Sequence, residues 1–124
     1  MTRSLGILLR QGDHEAAHYA LVLATGAAAV GRDVVLFATN GGCRLFQADR
    51  PIEGDGREAL LEARGVAGIG TLLAAAADLG IRRIACEAGL RAEAIAPESL
   101  AAGVEVAGVI TFLAAVGDGQ VIAL

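Results

Sequence analysis

IRRIACEAGLRAEAI, residues 81–95, is the stretch on which the reading of this chain turns. A short apolar run, Ile81 to Ala85, reads as a strand and delivers Cys86 to the start of a polar, helix-capable segment. A thiol at that position sits beside backbone N–H groups that favour its thiolate, one recurring way a protein makes a usable sulfur nucleophile.

Upstream, Ile69 to Leu79 reads as a helix closed by Gly80, and Arg57 to Arg64 as a shorter one. Ala48 to Gly56 carries Asp49, Arg50, Pro51, Glu53, Gly54 and Asp55, and this loop-like composition predicts a mobile flap. Asn40-Gly41-Gly42-Cys43 is a turn after a second strand, Val34 to Phe37. Leu5 to Leu9 predicts a strand buried on both faces. Asp13 then caps a helix running to about Ala29, apolar nearly all round from Tyr19 onward and there expected to be largely buried, with His14, Glu15, His18 and Thr25 sharing a polar side near its start. Downstream, Pro97-Glu98 opens a turn, Val104 to Val116 reads as a buried helix, and Val121 to Leu124 as a last strand.

Strands alternating with helices imply right-handed crossovers and a parallel sheet with helices on both faces. In such sheets ligands collect at the carboxyl ends of the strands. Here those ends are Arg10-Gln11-Gly12, Thr39 to Cys43, and Cys86-Glu87. Gln11, Asn40, Gly41, Gly42, Cys43 and Glu87 are therefore the candidate binding residues around Cys86.

Composition bounds the function. The 124 residues suffice for one domain, 1–124, with a real core, and 55% hydrophobic with 3% aromatic means a core of Ala, Val, Leu and Ile. A net charge of −4 without aromatic stacking platforms leaves no footprint for nucleic acid. Neither a signal peptide nor a membrane span is expected, and a cytoplasmic location follows. Two cysteines make no disulfide framework, so each is either a small buried hydrophobe or chemistry.

His14-Glu15-Ala16-Ala17-His18 matches H-E-x-x-H, a zinc-binding pattern. A catalytic zinc needs a third protein ligand, and the chain has no third histidine, so the segment reads as a solvated helix start and no metal is assigned. Gly65, Gly68 and Gly70 follow no strand and precede no Lys-Ser or Lys-Thr pair, so they read as turn residues rather than a phosphate loop. The Gly41-Gly42 amides are placed to cradle an anion or a persulfide, or to make a plain tight turn. At Cys86, Glu87 disfavours a thiolate while a helix N-terminus, Arg83 or Arg91 favours it.

The stretches IRRIACEAGLRAEAI and AGVEVAGVITFLAAVGDGQVIAL, with LGILLRQGDHEAAHYALVLATGAAAVGRDVVLFATNGG upstream, resemble the DsrE/DsrF-like family of small sulfur-relay proteins, in particular its peroxiredoxin-like branch. The resemblance implies a three-layer α/β/α domain with a mainly parallel sheet of four to five strands, and a homo-oligomer, trimeric or hexameric. It also implies that Cys86 accepts sulfane sulfur as a persulfide and relays it between donor and acceptor proteins, with no metal or organic cofactor. Where that branch often carries Met, Ser or Thr after the cysteine, this chain has Glu87-Ala88-Gly89. The alternative is a non-catalytic oligomeric ligand-binding or scaffold module in which Cys86 is buried and inert. A third reading, thiol-disulfide or peroxide chemistry, needs Cys43 and Cys86 at bonding distance.

Overall fold

In the computed structural model, which describes residues 3–124, strands and helices alternate along the chain. Strands β1 (Leu5–Leu9), β2 (Val34–Ala38), β3 (Arg82–Cys86), β4 (Val104–Ala107) and β5 (Gln120–Ala123) form one sheet. Their order is β4-β3-β2-β1-β5 and every neighbouring pair is parallel. The connections are α1 (His14–Ala29), α2 (Arg57–Ala63), α3 (Ile69–Asp78), α4 (Glu87–Ala92) and α5 (Val109–Val116), with 3-10 turns at Asn40–Phe46, Pro51–Asp55 and Pro97–Ser99.

Side chains of a strand alternate between the faces of its sheet. Leu5, Ile7, Leu9, Val34, Leu36, Ala38 and Ala85 point into a large core built with α1 and α3. Val35, Phe37, Ile84 and Cys86 point the other way, where Phe112 and Val116 of α5 cover them. The Phe37 and Phe112 rings stack with centroids 4.7 Å apart. Gly6 lets α5 lie down on β1, because a Cβ there would strike Val116 and the Phe112 ring. The three-layer parallel architecture expected from the sequence is therefore present, with five strands and helices on both faces.

Local chemistry sets the element ends. The Asp13 carboxylate accepts the Ala16 N–H at 3.0 Å and starts α1, as its sequence position predicts. Gly80, at φ +72°, lets the chain leave α3 in a conformation that a side chain resists.

Two expectations are amended. Ala48 to Gly56 is not without structure: it contains the 3-10 turn Pro51–Asp55, which drives Ile52 into the core, while Ala48 N–H donates to Ser99 O at 2.8 Å. Val104 to Val116 is not one buried helix. Gly108 splits it into strand β4 and helix α5, and α5 leaves Ile110 81% exposed. No described helix is long and apolar enough to cross a membrane.

Candidate functional site

Cys86 is the last residue of β3 and the N-cap of α4, and its Sγ accepts the Gly89 N–H at 3.4 Å. The bend is possible because position 89 is glycine: a Cβ there would run into the Asn40 amide and the Thr39 side chain. Cys86 is 9% exposed and packs with Phe37, Ile84 and Phe112. Glu87 and Arg91, both exposed, pair one helical turn apart at 3.2 Å, so the carboxylate next to the cysteine already has a cation. Arg83 does not stand beside the thiol. It lies three residues back on a strand and so projects from the opposite face.

Cys43 sits in the turn Asn40–Phe46, fully buried, and its S–H donates to Ala38 O at 3.4 Å. Burial pushes its thiol up to about 11, against an opposing pull from the Cys86 backbone N–H, while a charge on Cys86 would push it higher still. The two cysteines are thus electrostatic neighbours, and both are free thiols. Their packing differs: Cys43 belongs to the large core and Cys86 to the cluster under α5.

The remaining candidates divide. Gly42 is glycine for packing, since a Cβ would hit the Leu9 carbonyl. Its N–H is engaged with Arg10 O at 3.1 Å and Thr39 O at 3.0 Å, which leaves no free donor for an anion. Asn40, at φ +50°, makes the left-handed bend against which α4 starts. Gly41 faces Gly12, and the Arg44 guanidinium lies over both, held by Glu93 at 3.2 Å. Gln11 is exposed and lines a separate cleft of about 450 Å³ with Asp13, Glu15, Tyr19 and Leu124. Arg44 escaped the sequence reading. Its one signal was adjacency to Cys43, because its partners come from residues 12, 41 and 93.

The HEAAH segment is corrected from a solvated helix start to a buried joint. His14 is 2% exposed and its Nε2–H donates to Glu58 at 2.6 Å, while His18 Nε2–H donates to Ala67 O at 2.9 Å. The rings stack with centroids 5.8 Å apart. Glu58 also accepts the Ile69 N–H at 2.9 Å, so it caps α3, whose own N-cap, Gly68, has no side chain. Burial raises the Glu58 carboxyl, but the Ile69 N–H and the His14 hydrogen bond outweigh it and hold the group below the ordinary 4.5. Both Nε2 atoms are thereby occupied, and among the described residues no group of three or more His, Cys, Asp or Glu is placed to hold a metal. Gly68 and Gly70 mark the start of α3 and make close contacts of their own: a Cβ at 68 would meet the Glu58 carboxylate, and one at 70 the Arg50 and Glu53 side chains.

With the parallel sheet and the strand-end cysteine in place, comparison with known proteins is informative. The sequence matches the profile of the DsrE/DsrF-like family over residues 3–124. This chain belongs to the DsrE/DsrF-like family. Two solved structures resemble this DsrE/DsrF-like chain over nearly their whole length. The ychN protein from E. coli superposes with a TM-score of 0.74 at 16% identity, covering 99% of this chain and 100% of the other. A protein of unknown function from Methanobacterium thermoautotrophicum, MTH1491, gives 0.61 at 20% identity, covering 98% and 99%. At such identities the likeness establishes the fold alone. No curated protein matches the sequence.

Proposed function

We propose that this chain, acting as one domain over residues 1–124, is a sulfur carrier that accepts sulfane sulfur on Cys86 and passes it to a partner protein. The observation that carries the reading is the setting of Cys86: it stands at the carboxyl end of an internal parallel strand, its Sγ receives the Gly89 N–H, and it keeps 9% of its surface open while Cys43 keeps none. Family membership supports it. In the first step the Cys86 thiolate attacks the outer sulfur of a donor persulfide, the donor S–S bond breaks, and the donor leaves as a thiolate. An acceptor thiolate then attacks the terminal sulfur on Cys86, which returns to its thiolate. The Gly89 N–H can donate to whichever sulfur carries the negative charge. No metal or organic cofactor takes part in either step. Both thiols are free, which fits a reducing cytoplasm.

Glutathione persulfide followed by intact-protein mass spectrometry tests this. One added sulfur is expected on the wild type and on Cys43→Ser, and none on Cys86→Ser. Equal addition to Cys86→Ser, or none to the wild type, sinks the carrier reading. The burial of Cys86 favours a second reading, a non-catalytic ligand-binding or scaffold module with an inert thiol. Labelling of Cys86 only after denaturation selects that module.

The partners proposed with this function include further copies of the chain. Val109, Ile110 and Leu113 of α5 and Val121 of β5 are large apolar residues 45% or more exposed, and a homo-oligomer would cover them.

A further inference from the structure

A cavity of about 210 Å³ lies on the face of the sheet opposite Cys86, between α3, the segment 45–50 and the starts of β3 and β4. Leu45, Phe46, Leu73 and Val104 give it apolar walls. Its charged side chains are Arg83 and Arg50, and no carboxylate lines it.

Arg83 is the unusual member. Its Nε is buried with no hydrogen-bond partner, and its guanidinium forms no ion pair among the described residues. A buried donor on a cation that lacks an acceptor is costly, so native proteins rarely keep one without a use. The neighbouring arginine on β3 shows the contrast: Arg82, on the outer face, makes a two-pronged pair with Glu105 at 2.7 and 2.9 Å. Gly103, glycine for its φ of +87°, lies against the Arg83 guanidinium: a Cβ there would be 2.8 Å from Nη2. Arg50 reaches the same cavity and is already paired with Glu53 at 3.6 Å. Two guanidiniums line the pocket against the one carboxylate that pairs with Arg50, which leaves a net positive site at Arg83.

From this we infer that the cavity is a binding site for a small aliphatic carboxylate, with Arg83 as its anchor and Arg50 at its mouth. The planar guanidinium fork matches a carboxylate edge. Leu45, Phe46, Leu73 and Val104 take the aliphatic part, and pressing the further oxygens of an inorganic oxyanion against those walls would be costly. Size narrows the class further. The volume equals about seven waters at ~30 Å³ each, and it falls below the ~300 Å³ at which drug-sized pockets begin. Short-chain acids of the length of butyrate to hexanoate fit. The site is independent of the sulfur-carrier reading, since β3 separates it from the Cys86 thiol.

Thermal melting of the full chain in potassium hexanoate against potassium chloride of equal ionic strength tests the inference. A saturable rise in Tm is expected for the wild type and for Cys86→Ser, with apparent affinity lowered about tenfold or more in Arg83→Met, which keeps the stem but loses the charge. Wild-type protein gives a second measurement that needs no variant: hexanoate should slow phenylglyoxal modification of Arg83, read by peptide mass. Absence of both a Tm rise and protection overturns the site, as does an equal response in Arg83→Met. If potassium sulfate gives the same Arg83-dependent rise as hexanoate, the aliphatic half of the inference is overturned.

Discussion

Glu58 joins three helices through one carboxylate oxygen, which takes the His14 Nε2–H of α1 and the Ile69 N–H of α3. Its replacement by Ala leaves a buried imidazole and a helix N-terminus without their acceptor, and a loss of about 1–3 kcal/mol in urea unfolding is expected. The pH dependence has a definite sign. The folded-state carboxyl titrates below the ordinary 4.5, so its contribution is fully present above that value and is lost as pH falls through the depressed one. Glu58→Gln should therefore be less stable than the wild type at neutral pH, with the gap closing on the acid side; urea midpoints that stay a constant distance apart would contradict this. The histidine pair was visible in the sequence as a spacing, but its role was not. Glu58 lies 44 residues from His14, and only the fold brings the two together.

At the level of elements, α5 is held by two buried residues, Phe112 and Val116, and shields the face that contains Cys86. Phe112→Ala removes the ring that stacks on Phe37, so a cost of about 3–5 kcal/mol is expected in denaturant unfolding. The same variant should raise the rate at which a small thiol reagent labels Cys86 under native conditions; an unchanged rate would mean that α5 does not gate access to the sulfur. The sequence held a signal for β4 as well. Val104-Glu105-Val106-Ala107 has one charge in an otherwise apolar run, bracketed by Gly103 and Gly108, and that charge faces out to meet Arg82. A continuous helical pattern masked it, because short apolar runs fit strand and helix equally. The turn within residues 48–56 was hidden for the converse reason: polar residues around it masked the anchor Ile52.

For the whole molecule, the two faces of the sheet are covered unequally. One face carries α1 and α3, whereas α5, with eight residues, lies over the other and is itself apolar on its outer side. The oligomer proposed above, by burying Ile110, Val109 and Leu113, would account for this asymmetry. Ile110→Glu should shift the species seen by light scattering toward the monomer while leaving the melting of the fold largely intact, since Ile110 is 81% exposed in the single chain. A wild type that is monomeric at micromolar concentration would refute the proposed assembly.

By itself, the sequence determined the parallel α/β class, the start of α1 at Asp13, the stop of α3 at Gly80, and the delivery of Cys86 from a strand to a helix. These depend on local rules of apolar runs, capping side chains and glycine freedom, whose partners lie within a few residues. Tertiary structure alone decided which charges meet which: His14 with Glu58, Arg44 with Glu93, and Arg83 with nothing among the described residues. Those pairings depend on strand order and on the face each residue takes, and a chain of side chains carries no local record of either. The opening stretch shows the division in one strand. Arg83 and Cys86 are three residues apart in sequence, yet the sheet sends them to opposite faces and into different sites.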